Sequence, residues 1–162
     1  MDKGIHWSSL THISIRKLSI SGAKWCTLIR RLEVLQVGEF TAHVDIMETD
    51  TTIEYPSKNL PHLRELRLLL YCRDINFNPL PNLVFPSLTM LHYDGHNINS
   101  IFLHKVFLAS PELVALHLGC SSATTPPNTS ELLMSEWGVW LYALQLEELI
   151  IDDFFSLKSL SN

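Results

Sequence analysis

Six times along this chain the apolar residues fall into one hexapeptide pattern, L-x-x-L-x-L or a near relative. The copies are LTHISI from Leu10, LEVLQV from Leu32, LRELRL from Leu63, LTMLHY from Leu88, LVALHL from Leu113 and LEELII from Leu146. Their starts are separated by 22, 31, 25, 25 and 33 residues. Self-similarity of this kind constrains the fold more than any local propensity, because a unit that cannot bury its apolar face alone must stack on copies of itself. Within each copy the last two apolar positions are two residues apart, the period of a strand with one face on a core, while the first enters from the preceding turn. The expectation is about six short parallel strands, spaced about 4.8 Å apart in one curved ribbon.

The segments between the hexapeptides carry a different period. In IFLHKVFLASPEL, Ile101, Phe102, Val106 and Phe107 have helical spacing, and the helix should stop at Ser110-Pro111 because proline disfavours helix at the residue before it. AKWCTLIRRL before the second hexapeptide and SELLMSEWGVWLYAL before the sixth read the same way, the latter with Leu132, Leu133, Trp137 and Trp140 behind Ser130. The fold class is therefore α/β, with helices and loops on the convex side of the ribbon. A length of 162 residues with 46% hydrophobic and 18% charged side chains suffices to bury one core, so residues 1–162 read as a single domain.

Through these six hexapeptides the chain resembles the leucine-rich repeat family over essentially its full length. At the ninth position of a repeat that family usually carries asparagine or cysteine; this chain has His96 there, and Phe40, Tyr71, Ser121 and Phe154 in other copies, so it is similar to the irregular, helix-containing type. The phrases NLPHLRELRL, FPSLTMLHYDG and FLASPELVALHLG look like the repeat region of fungal F-box proteins. That resemblance implies repeats that select a substrate for a ubiquitin ligase. Nothing before Leu10 supplies the Leu-Pro start and helical bundle of an F-box, so a ubiquitin-ligase adaptor is expected as a partner only if an F-box lies upstream. The alternative is a freestanding repeat scaffold that inhibits or localises a protein on the same concave face. The tail IIDDFFSLKSLSN lacks the polar cap that a stack of repeats needs, which suits either a fragment of a longer protein or an end used for association.

Residues alternating with the inward ones build that face. The fifth hexapeptide positions are Ser14, Gln36, Arg67, His92, His117 and Ile150; the third are His12, Val34, Glu65, Met90, Ala115 and Glu148. The residues following each copy are Arg16, Gly38, Leu69, Asp94, Gly119 and Asp152. The partner-binding set expected from these columns is Arg67, His92, His117, Glu65, Met90, Asp94, Gln36, Glu148 and Asp152. Arg67, His92 and His117 should be lateral neighbours about 5 Å apart, a place for an acidic or phosphorylated group whose hold strengthens as falling pH charges the imidazoles. The stretch MLHYDGH holds two histidines around an aspartate, but His92 points out of a strand and His96 lies beyond the turn at Gly95. The two should not converge on an ion, and Cys120 lies past its strand, so no metal site is expected.

Charge and motif content narrow the function. Twelve Lys+Arg against seventeen Asp+Glu, a net charge of -5, lack the basic stripe of a phosphate-backbone binder, so nucleic acid is not an expected partner. Three cysteines at wide spacing without a C-x-x-C pair suit free thiols in a reducing, cytoplasmic or nuclear compartment. Neither a signal-peptide apolar core nor an eighteen-residue apolar run occurs, so no membrane association is expected. Without G-x-S-x-G, a glycine-rich phosphate loop or H-E-x-x-H, the chain is not expected to be an enzyme or to carry a cofactor. Two long intervals are expected as loops: an acidic one over residues 41–59, with Asp45, Glu48, Asp50 and Glu54, and the Pro/Ser/Thr cluster SSATTPPNTS over residues 121–130.

Overall fold

The computed structural model describes residues 9–47, 54–72, 74, 77–95, 98, 100–119, 143 and 145–152. The chain runs β1 (His12–Ser21), α1 (Gly22–Arg30), β2 (Val37–Asp45), β3 (Lys58–Asn59), β4 (Glu65–Cys72), β5 (Leu83–Val84), β6 (Met90–Asp94), α2 (Ser100–Ala109), β7 (Ala115–Gly119) and β8 (Glu148–Asp152). Six of the strands form one parallel sheet in the order β1-β2-β4-β6-β7-β8, so the fold is α/β. β3 and β5 pair separately, also in parallel.

Alternation in the hexapeptides sets which side faces the core. In β4, Leu66, Leu68, Leu70 and Cys72 are buried; in β6 Leu91 and Tyr93 are, and in β7 Leu116 and Leu118. α1 presents Trp25, Cys26 and Ile29 to the same core. There Trp25 meets Phe40 edge-on at 5.6 Å between ring centroids. α2 contributes Phe102, Leu103, Val106 and Phe107. Helices are thus present where AKWCTLIRRL and IFLHKVFLA predicted them; the third expected helix up to residue 142, the cluster over residues 121–130, His96 and Cys120 lie outside the described residues, and Ala143, near that helix's expected end, is not helical.

One backbone arrangement recurs before five strands. The N–H of Leu35 donates to the carbonyl of Leu32, Leu63 to Leu60, Leu88 to Phe85, Leu113 to Ser110 and Leu146 to Ala143. Pro61, Pro86 and Pro111 sit at the second position of three of these turns, where their fixed φ is already the one required. Just after each turn, one carbonyl of the preceding unit accepts two successive N–H groups. The carbonyl of Thr11 takes Gln36 and Val37, Gln36 takes Arg64 and Glu65, Arg64 takes Thr89 and Met90, Thr89 takes Val114 and Ala115, and Val114 takes Glu147 and Glu148. These clamps start β2, β4, β6, β7 and β8 at one height.

They also correct the second hexapeptide. Leu32 and Leu35 bracket a turn, and Leu35 is the equivalent of Leu63, Leu88 and Leu113, so the strand begins three residues later than LEVLQV suggests. The true copy, LQVGEF, escapes the pattern because Gly38 stands where the others have leucine; Leu35 Cδ2 and Phe40 Cε2 would each lie 3.0 Å from a Cβ there, filling the space themselves. The strands are not all short either: β1, β2 and β4 have 10, 9 and 8 residues. Thr41–Asp45 belong to β2 and Lys58–Asn59 form β3, so the loop expected over residues 41–59 is cut at both ends. β1 breaks register between Ile15 and Leu18, with Lys17 at φ 59.

The expected curvature is not found, since the sheet is not curled. A ribbon curls when its back is wider per unit than its front, as with helices about 8–10 Å apart behind strands about 4.8 Å apart. β3 and β5, whose Leu83 and following Leu60 join the same buried cluster, are instead an extended pair with the strand spacing of the main sheet, which adds no such width.

Candidate functional site

The outward side of the sheet carries the expected columns, and strand register says which residues are neighbours. One row is His12, Val37, Glu65, Met90, Ala115 and Glu148; the next is Ser14, Glu39, Arg67, His92, His117 and Ile150. A third contains Thr41, Leu69, Asp94, Gly119 and Asp152. Arg67, His92, His117, Glu65, Met90, Glu148 and Asp152 therefore stand where the sequence put them. Gln36 does not: it sits at the turn before β2, its carbonyl serving Arg64 and Glu65, and Glu39 takes its place beside Arg67. Val37 replaces Val34 and Thr41 replaces Gly38 by the same three-residue shift.

Asp94 departs in another way. Parity places it on the outward side, yet it is only 9% exposed. Gly119, its register partner on β7, has no side chain, and the carboxylate closes over it, so that a Cβ there would lie 3.0 Å from Asp94 Cγ. Asp94 is thus a packed part of the sheet rather than an open contact residue.

At the centre, the His92 and His117 rings lie 5.7 Å apart at 52°. His117 Nε2 is 3.1 Å from Glu148 Oε1, an ion pair whenever the ring is protonated. Arg67, the exposed neighbour of His92, has no ion-pair partner among the described residues. Partial burial holds the His92 imidazole below its ordinary pKa, helped by His117 and Arg67 and opposed by Asp94 and Asp152. On the Arg67 side, Glu39 accepts a hydrogen bond from Ser14 Oγ at 3.3 Å and lies 3.8 Å from Arg16 Nη2. Further along the face His43 stacks on Tyr71 at 4.8 Å and 20°. Sequence reasoning missed this pair and Glu39; the alternation in EFTAHVD was the available signal, hidden by the misplaced start of β2.

Cys26 and Cys72 are buried and outside any disulfide, and burial pushes the Cys72 thiol up, which keeps it protonated. Among the described residues no three His, Cys, Asp or Glu side chains come together as ligands for a metal ion. Nor is any described helix long and apolar enough to cross a membrane. No protein-family model, curated protein or solved structure matches the chain. Fold and site therefore rest on its own geometry.

Proposed function

We propose that the chain is a stack of leucine-rich repeats that binds a protein through the outward face of its sheet. An acidic or phosphorylated segment of that partner sits on Arg67, His92 and His117. The observation that carries this proposal is the lateral row itself, three nitrogen-bearing side chains on adjacent strands with Arg67 unpaired among the described residues. A guanidinium presents a planar fork of donors that matches a carboxylate or phosphate, and an anion placed beside His92 offsets the forces that keep its ring neutral. Met90, Ala115, Leu69 and the His43–Tyr71 stack flank the row with apolar and aromatic surface of the kind found in interface centres. The recurrent proline turns and two-donor clamps support the repeat reading.

The narrower form of the proposal follows the family resemblance. These are the substrate-recognition repeats of an F-box-type ubiquitin-ligase receptor, non-catalytic and without cofactor, working in the cytoplasm or nucleus. The test is binding to arrays of acidic and phosphorylated peptides, followed by anisotropy on the best sequence at about pH 6 and about pH 7.5. Binding should tighten at the lower pH and be lost in Arg67→Glu, with Gln36→Glu unchanged. Equal binding by wild type and Arg67→Glu would refute the site. A partner found this way should accumulate when the chain is deleted; an unchanged half-life would assign it to a freestanding scaffold instead.

A further inference from the structure

The back of the molecule, away from the histidine row, contains a feature that protein binding through the sheet does not use. A cavity of about 340 Å³ opens between α2, β5 and the turn at residues 78–82. Its walls are mainly apolar, with Leu80, Leu83, Phe85, Phe102, Val106 and Leu108 among the lining side chains. Small-molecule sites have about 300–1,000 Å³, are mostly apolar and hold a few placed polar groups, so this cavity fits one small ligand.

The turn that forms one wall is held from several directions. Trp25 Nε1–H donates to the carbonyl of Pro79 at 2.9 Å, and Arg30 Nη1 donates to that of Pro81 at 3.3 Å. Asn82, at φ 50, gives its side-chain N–H to the carbonyl of Tyr55 at 2.6 Å, while its own carbonyl accepts the N–H of Lys58 at 3.0 Å. Asn78 Oδ1 accepts the N–H of Leu80 at 3.0 Å. A wall tied in this way exists before any ligand arrives and lowers the ordering cost of binding. The opposite wall is a helix with apolar residues on more than its core side: beyond buried Phe102, Leu103, Val106 and Phe107, it leaves Ile101 at 66% and Leu108 at 58% exposure. A helix that is apolar around most of its circumference is normally covered.

The charge at the cavity bears on what would cover it. Lys105, exposed on α2 between Ile101 and Leu108, is the one charged side chain among the described lining residues, and no carboxylate joins it. From this geometry we propose that the cavity binds a small amphiphile with one anionic head, of the alkyl carboxylate class. The chain lies against Leu83, Phe85 and Val106, and the head meets Lys105 Nζ at the mouth, near the Ser57 hydroxyl.

The experiment is calorimetric titration of the full chain with decanoate, and with decanol and decyltrimethylammonium as head-group controls. Decanoate should bind once per chain with a Kd of about 10–500 µM, move the NMR amide signals of α2, and leave the His92 ring signals in place. Lys105→Glu should weaken decanoate about tenfold without weakening decanol, and Ser57→Trp should obstruct the mouth for both. Both positions are exposed, and circular dichroism should show each variant folded. Absence of saturable decanoate binding, equal affinity for all three head groups, or an unaltered affinity in Lys105→Glu would each overturn the proposal. None of these results bears on the sheet face, which is read by Arg67→Glu.

Discussion

Replacing Leu91 by alanine tests the inside-outside assignment on which the sheet face depends. Leu91 lies in the inward row Gly38, Leu66, Leu91, Leu116 and Leu149, and Leu66, Leu91 and Leu116 are each at 0% exposure. The substitution deletes three carbons, a transfer loss of about 2.4 kcal/mol at about 0.8 kcal/mol for each. Leu66 and Leu116 are held by parallel ladders on either side and can collapse only partly, so a cavity contribution of about 1 kcal/mol adds to it. The expected cost is about 3–4 kcal/mol. With a urea slope of about 2 kcal/mol/M, the unfolding midpoint followed by far-UV circular dichroism should fall by about 1.5–2 M. His92→Ala, one residue along and on the other side, should change stability by no more than about 0.5 kcal/mol. A larger loss in His92→Ala than in Leu91→Ala would reverse the alternation and refute the site. Small losses in both would mean that this sheet is not packed on a core.

Two further outcomes follow from the outward face. The native pKa of His92 is below the ordinary 6.5, so between those values the unfolded chain holds the extra proton. The stability linked to His92 is complete above about pH 6.5 and is lost as pH falls through the native value; urea midpoints measured from about pH 7.5 to about pH 5 should show this loss reduced in His92→Gln, and identical profiles would refute it. Gly119→Ala should cost about 1–2 kcal/mol because its Cβ would stand 3.0 Å from Asp94 Cγ. In a double-mutant cycle Asp94→Ser should recover part of that cost, and strict additivity would show that the carboxylate does not pack over Gly119.

Particular residues show how far local pattern reaches. Pro61, Pro86 and Pro111 mark three of the turns directly, because proline at the second turn position is a property of its own ring. Leu91, Tyr93, Leu116 and Leu118 were assigned inward by alternation alone and are buried. The row Arg67, His92, His117 was legible because LRELRL, LTMLHY and LVALHL have a common start, and equal offsets then become lateral neighbours. Gln36 failed for the converse reason. Leu32 and Leu35 are buried at the two ends of the turn and Val37 follows in the outward row, so that the three imitate the hexapeptide by spacing alone, while Gly38 concealed the real one. A glycine gives no hydropathy signal, and only the pairing of Gly38 with Leu66 reveals its place.

What the amino-acid order determined by itself was the kind of element and the side each residue takes: short-range periods of two and 3.6, and turns written in proline, are set by neighbours along the chain. Tertiary structure decided which residues meet across strands. It put Glu39 beside Arg67, laid Asp94 over Gly119, and replaced the expected curved ribbon by a sheet that is not curled, with β3 and β5 paired apart from it. It also assembled the back cavity from β5, α2 and the turn at residues 78–82, the last held by Trp25 and Arg30, segments that no local period relates. The physical reason is that hydrogen-bond register and close packing depend on distances between segments far apart in the chain, whereas hydropathy patterning records only each segment's own preference for an apolar side.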